Sequence, residues 1–238
     1  DYTIDIFDKV NDSRFFKTFQ TAFYRNVASN SGLATFTAAN APSPSLIGKP
    51  RVGIGDTAAL YIVNPIDRPV LTGTISAMRF YSVFARYKQT TVGGAISSDY
   101  TGNKYLSMIK FSDPIRLTTT NNEARGIRNG TYARLAETYL IIAEAYGRKG
   151  DYVNALNYVN ILRKRAAYKA NEARSPQIWQ YMGGPTTLAN TETPNLATIT
   201  LFTSNAASEL FPPTVTSTSD RFIHFMLNES TRQLCGEL

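Results

Sequence analysis

The clearest regularity in the chain is a stretch of helical period followed at once by a second. Over residues 132–146 the chain is built of good helix formers, and the apolar positions Leu135, Tyr139, Ile142, Ala143 and Tyr146 recur at three- and four-residue spacing. Gly147 is a lone glycine that does not break the pattern. Gly150 ends it: glycine takes the left-handed conformation that closes a helix, and Asp151 directly after it is a good N-cap for a second helix over residues 152–166. Tyr152, Ala155, Leu156, Val159, Leu162 and Ala166 form the facing stripe, with Ala155 small enough to admit the first helix at Ala143. Helices joined so tightly fold back antiparallel, so the pattern predicts a helical hairpin over residues 131–167.

Elsewhere the pattern is weaker. Phe15, Phe16, Phe19, Phe23 and Tyr24 are spaced for an aromatic-faced helix within residues 11–26. Residues 58–63, 79–87 and 105–111 are β-like pieces separated by Gly, Pro and Asn turns, which predicts a small sheet or hairpins. Ser217, with Asp220 three residues on, has the form of a capping box and opens a last helix carrying Phe222, Phe225, Met226 and Leu234. Two excursions, residues 27–50 and 170–219, are rich in Ser, Thr, Asn and Pro; in the second only the stretch around Ile178, Trp179, Tyr181 and Met182 is markedly apolar. The expected fold is therefore mainly α with small β elements: a tetratricopeptide-type helical hairpin plus a loop-rich region with short strands, in a single domain over residues 1–238. No regular alternation of strand and helix supports a doubly wound sheet.

Composition narrows the functional classes. The 25 Lys and Arg against 18 Asp and Glu give a formal charge of +7, enough to attract polyanions weakly. The basic residues are scattered, however, and the one run, Arg163-Lys164-Arg165, falls where a helix should end and is read as a solvated complement to the helix dipole, so no nucleic acid is expected. Cys235 is the only cysteine, which excludes an internal disulfide and a cysteine metal cage and leaves it a small apolar core role. His224 is the only histidine, which excludes paired His ligands and a Ser-His-Asp triad, and it is read as structural.

The hairpin matches the tetratricopeptide pattern at Ala136, Tyr139, Ile142, Ala143, Ala145, Tyr146, Gly150, Asp151, Tyr152, Ala155, Val159 and Leu162. One such unit cannot bury both of its faces without neighbours. Three further blocks share its context. They are Lys110-Phe111-Ser112-Asp113-Pro114 before the hairpin, Asn11-Asp12-Ser13-Arg14-Phe15-Phe16 near the start, and Asn228-Glu229-Ser230-Thr231-Arg232-Gln233-Leu234-Cys235-Gly236-Glu237 at the end. Together, and in this order, they resemble the C-terminal half of the SusD/RagB family. The resemblance implies a lipoprotein of the Bacteroidetes outer membrane, held at the cell surface by an N-terminal lipid anchor that lies outside this sequence. It implies capture of oligosaccharides, or of peptides in the RagB branch, for a SusC-like TonB-dependent transporter, with no catalysis and no cofactor. Gln233 stands where the family usually has an acidic residue. The sequence reads as a fragment. A tetratricopeptide adaptor for a protein partner is the rival reading.

Gly53-Ile54-Gly55-Asp56-Thr57 lacks the lysine and third glycine of a phosphate loop and is expected to be a turn before a strand. Asp99, Asp113 and Glu123 do not form a calcium loop pattern, and no carboxylate pair stands out as a glycosidase centre. The ligand candidates are aromatic, since a ring stacks on the C–H face of a sugar: Trp179 and Tyr181 in the polar excursion, with Tyr81, Tyr100 and the amide of Asn103 from the strand-rich region. Tyr139 and Tyr146 are excluded as packing residues of the hairpin.

Overall fold

Gly150 adopts a φ of +81°, in the left-handed region expected of a helix-ending glycine, and Asp151 accepts a hydrogen bond from the backbone N–H of Asn154 at 3.1 Å. These two residues turn helix into helix as their chemistry requires. The structure, a computed structural model, describes residues 2–26, 35–41, 43–78, 82–110, 127, 133–170, 172, 180–181, 183–184 and 189–236. Its helices are α1 (Tyr2–Asp5), α2 (Arg14–Thr18), α3 (Thr72–Ala77), α4 (Leu135–Arg148), α5 (Tyr152–Ala166), α6 (Thr200–Thr203) and α7 (Thr218–Leu234). Two compact units emerge: Asp1–Phe19 with Met108–Ala173 and Thr187–Leu238, and Gln20–Ser107 with Arg174–Thr186.

The first unit is helical. The expected α4–α5 hairpin forms, with α4 beginning at Leu135; Thr131 and Tyr132 lie outside the described residues. Its buried face is Ala136, Leu140, Ala143 and Gly147, not the stripe that includes Leu135 and Tyr146, which are 64% and 36% exposed. The reason is steric. Small residues register weakly as hydrophobic but let another helix approach, and a Cβ on Gly147 would fall inside the ring of Phe222 on α7. On α5 the expected stripe holds: Ala155, Val159, Leu162 and Ala166 are buried, with Tyr152 and Leu156 packed against the same cluster. Helix α7 begins as its sequence predicts, Ser217 Oγ accepting from Asp220 N at 3.0 Å, and it contributes Phe222, Phe225 and Met226 to the core. Each such side chain stabilises by about 1.5–3 kcal/mol on burial. Phe202 on α6, fully buried and in edge contact with Phe222 at 5.2 Å, comes from the excursion rich in Ser, Thr, Asn and Pro.

The aromatic run near the start is only briefly helical. α2 stops at Thr18 and the chain turns extended, so that Phe15 and Phe19 are buried while Tyr24 is 62% exposed. Spacing alone could not separate one stripe from two elements, because the competing strand partner is more than thirty residues away.

The second unit holds two small three-stranded sheets. One orders β1 (Ala22–Tyr24), β2 (Thr57–Ile62) and β4 (Ser82–Ala85); the other, β3 (Val70–Leu71), β5 (Lys88–Gln89) and β6 (Ile96–Ser97). Strand β2 sits centrally, antiparallel to β1 and parallel to β4. Before β2, Gly53 and Gly55 make the expected turn, Gly55 at φ +86° and Asp56 accepting from Gly53 N at 2.8 Å. Asn64, fully buried, donates to the carbonyls of Arg68 and Tyr87 at 2.8 and 2.7 Å and so fastens the end of β2 to the segment after β4.

Candidate functional site

The β1–β2–β4 sheet has two unlike faces, and period-two alternation creates them. Leu60, Ile62 and Ala85 point one way and are fully buried. On the other side the register sets Phe23 opposite Ala59, and Tyr61 opposite Phe84. Their rings meet: Phe23 and Tyr61 lie 5.9 Å apart between centroids, Tyr61 and Phe84 4.9 Å. The loop after β6 extends the group, with Tyr100 at 5.9 Å from Tyr61 and Tyr105 at 5.8 Å from Tyr100. Phe23, Tyr61, Phe84 and Tyr100 are half-buried and Tyr105 is 41% exposed, so one aromatic band runs from covered to open.

Polar groups stand beside it. A tight turn pairs Thr101 with Lys104 through reciprocal backbone hydrogen bonds of 3.2 and 3.0 Å and presents Asn103 and Lys104 to solvent. The Lys104 ammonium lies 5.4 Å from the centre of the Phe84 ring, a cation–π contact. Lys88 instead pairs with Asp99, which also accepts from Ala85 N at 3.1 Å.

Of the residues singled out from sequence, Tyr100 and Asn103 fall in this one region. Tyr100 is an anchor as much as a surface: its hydroxyl donates to the Ile62 carbonyl at 3.1 Å, and burial, only partly opposed by the charge of Arg86, pushes the phenol well above its ordinary range. Tyr181 is half-buried, with its phenol raised by burial, and among the described residues it has no ring contact with the band. Tyr81 and Trp179 lie outside the described residues. Sequence reasoning missed Tyr61, Phe84 and Lys104. The alternation of β2 could have found Tyr61, but its ring partners come from segments joined only by the fold.

Tyr139 packs, partly buried, against the helical core, while Tyr146 is 36% exposed. Tyr146 stacks on Tyr158 at 5.8 Å and 14°, and Tyr139 meets the same ring at 6.0 Å.

A second cluster, in the helical unit, also escaped sequence reading. Glu229 on α7 is fully buried and receives Arg163 Nε at 2.9 Å, Arg232 Nη1 at 2.7 Å and Arg14 Nη1 at 3.3 Å. Asp12 holds Arg14 Nε at 2.9 Å, and Glu209 holds Arg232 Nη2 at 2.9 Å. Three guanidiniums thus meet three carboxylates. Burial pushes the Glu229 carboxyl up, but Arg163, Arg14 and Arg232 outweigh it and hold it well below the usual carboxylate range. Arg163 is therefore not part of a solvated basic run, although Lys164 and Arg165 are exposed as expected. With every charge matched, this is a structural lock. Cys235 is half-buried at the end of α7, its thiol raised by burial. No group of three or more potential metal ligands occurs among the described residues.

One unit holds an antiparallel helical hairpin locked to a C-terminal helix, and the other holds a loop-rich sheet with the aromatic band. The sequence profile of the SusD family matches residues 1–238, and the chain belongs to that family. Its members are nutrient-binding outer-membrane lipoproteins, not enzymes. No curated protein and no solved structure matched the chain. Among the described residues no helix is long and apolar enough to cross a membrane.

Proposed function

We propose that this protein binds oligosaccharides at the cell surface and passes them unchanged to a SusC-like TonB-dependent transporter. The observation that carries the reading is the aromatic band of the β1–β2–β4 sheet. The rings run from half-buried Tyr61 to open Tyr105 and are turned by 67° and 68° at the last two steps, so their mutual packing holds them rigid before ligand arrives while the open ring of Tyr105 offers an apolar surface to the C–H groups of a sugar. Asn103 supplies an amide that both donates to and accepts from sugar hydroxyls. Tyr100 holds the loop to the sheet, and Tyr81, Trp179 and Tyr181 are proposed as further stacking surfaces. Binding of this kind needs no cofactor.

Electrophoresis of the purified chain through gels containing a panel of polysaccharides tests this directly. Retardation by at least one polysaccharide, with no shortening of that glycan on prolonged incubation, is the expected result. Free migration in every gel together with saturable binding of peptides would replace the glycan reading with a peptide-binding one.

A further inference from the structure

The positive charge of this protein is not spread evenly. Within the unit formed by Gln20–Ser107 and Arg174–Thr186 there are nine Lys and Arg against three Asp and no Glu, a balance of +6, whereas the whole chain carries +7. The helical unit, which supplies most of the length, is left at +1, and its buried charges cancel among themselves. So the unit that bears the aromatic band bears nearly all of the excess charge.

Of the three acidic residues there, Asp99 is taken up by Lys88 and Asp56 caps the turn before β2. Lys104 meets no carboxylate among the described residues; its ammonium rests over Phe84, at the edge of the band, exposed to solvent. A cation held at an aromatic edge rather than in an ion pair remains available to an incoming anion.

We infer that the ligand of this surface is an anionic oligosaccharide, its sugar rings against Tyr61 and Tyr105 and a carboxylate or sulfate on the glycan paired with Lys104. The inference rests on the reading of the band as a glycan site and names the class of glycan. A neutral sugar would leave the Lys104 charge unused, and the +6 field would add nothing to its capture.

The test is calorimetric titration of the full chain with tetragalacturonate, with its fully methyl-esterified form, which is the same tetrasaccharide without charge, with a heparin-derived tetrasaccharide, and with tetraglutamate. At low salt the acid should bind about fivefold or more tighter than its ester, the factor that one exposed ion pair near 1 kcal/mol supplies. That gap should shrink on raising the salt from about 0.05 to 0.5 M, as screening requires. Lys104→Gln should remove most of the gap while leaving affinity for the ester within about twofold, and Lys104→Arg should restore it. If the heparin fragment binds, and its affinity falls with rising salt and in Lys104→Gln, while tetragalacturonate does not bind, the anion is sulfate and the inference stands. Equal affinity for acid and ester overturns it while leaving the glycan reading intact. Binding of tetraglutamate alone overturns both.

Discussion

Replacing Glu229 with Gln removes one negative charge from a site where three guanidiniums converge. Glutamine is nearly isosteric, so the packing against α2 and α5 survives and the loss is electrostatic. Arg163 loses its partner at 2.9 Å, Arg232 one at 2.7 Å and Arg14 one at 3.3 Å, while Asp12 and Glu209 remain to balance three cations. Breaking a buried ion pair by deleting one partner costs roughly 3–5 kcal/mol, most of it the uncompensated charge left behind. Glutamine can still accept one hydrogen bond, which places the expectation near the lower end. Circular dichroism at 222 nm during urea denaturation is a suitable assay, because α4, α5 and α7 all lie in the helical unit and dominate the signal. With a urea slope of about 2–3 kcal/mol/M, a loss of about 3 kcal/mol moves the midpoint down by about 1–1.5 M. A midpoint within about 0.2 M of the parent would show that the network is not holding the helices and would refute the lock.

Two further expectations concern the same unit. Gly147→Ala gains about 1 kcal/mol of helix propensity, yet its Cβ must displace the Phe222 ring, which is wedged at 5.2 Å from both Phe202 and Tyr152; a net loss of about 1–3 kcal/mol in thermal or urea denaturation is expected, and a more stable variant would show that the ring can move. The depressed Glu229 carboxyl predicts acid sensitivity with a definite sign. Its folded pKa lies below the ordinary value of 4.5, so its stabilisation is complete above that pH and is lost progressively as pH falls below it; circular dichroism should show the helical unit weakening from about pH 4.5 downward, and a flat profile to pH 2 would contradict the assignment.

Those features read correctly from sequence were local ones. Gly150, Asp151 and the Ser217–Asp220 cap state their backbone roles within a few residues, and the hairpin and α7 followed from them. The face of α4 was misjudged because Ala136, Ala143 and Gly147 matter for what they permit, not for the area they bury. The buried lock was illegible for a different reason: an Arg or Glu in isolation reads as solvent-facing, and these come together from Asp12 to Arg232 only through tertiary packing. Yet the two end blocks that carried the family resemblance contain Asp12, Arg14, Glu229 and Arg232, so the signal was present as a pattern before it had a physical meaning. Tyr100 and Asn103 were found as individual candidates, while the band that joins Tyr100 to Tyr61 and Phe84 required the β2–β4 pairing to be known.

Tyr105 is the most open ring of the aromatic band proposed as the glycan surface. Calorimetric titration of Tyr105→Ala against the parent chain, with the oligosaccharide released from whichever polysaccharide retards it, is the most direct test. Loss of one stacking face should weaken binding by about 1 kcal/mol, roughly fivefold, at an unchanged melting temperature. Parental affinity in the folded Tyr105→Ala protein would contradict the assignment of the band as the binding surface.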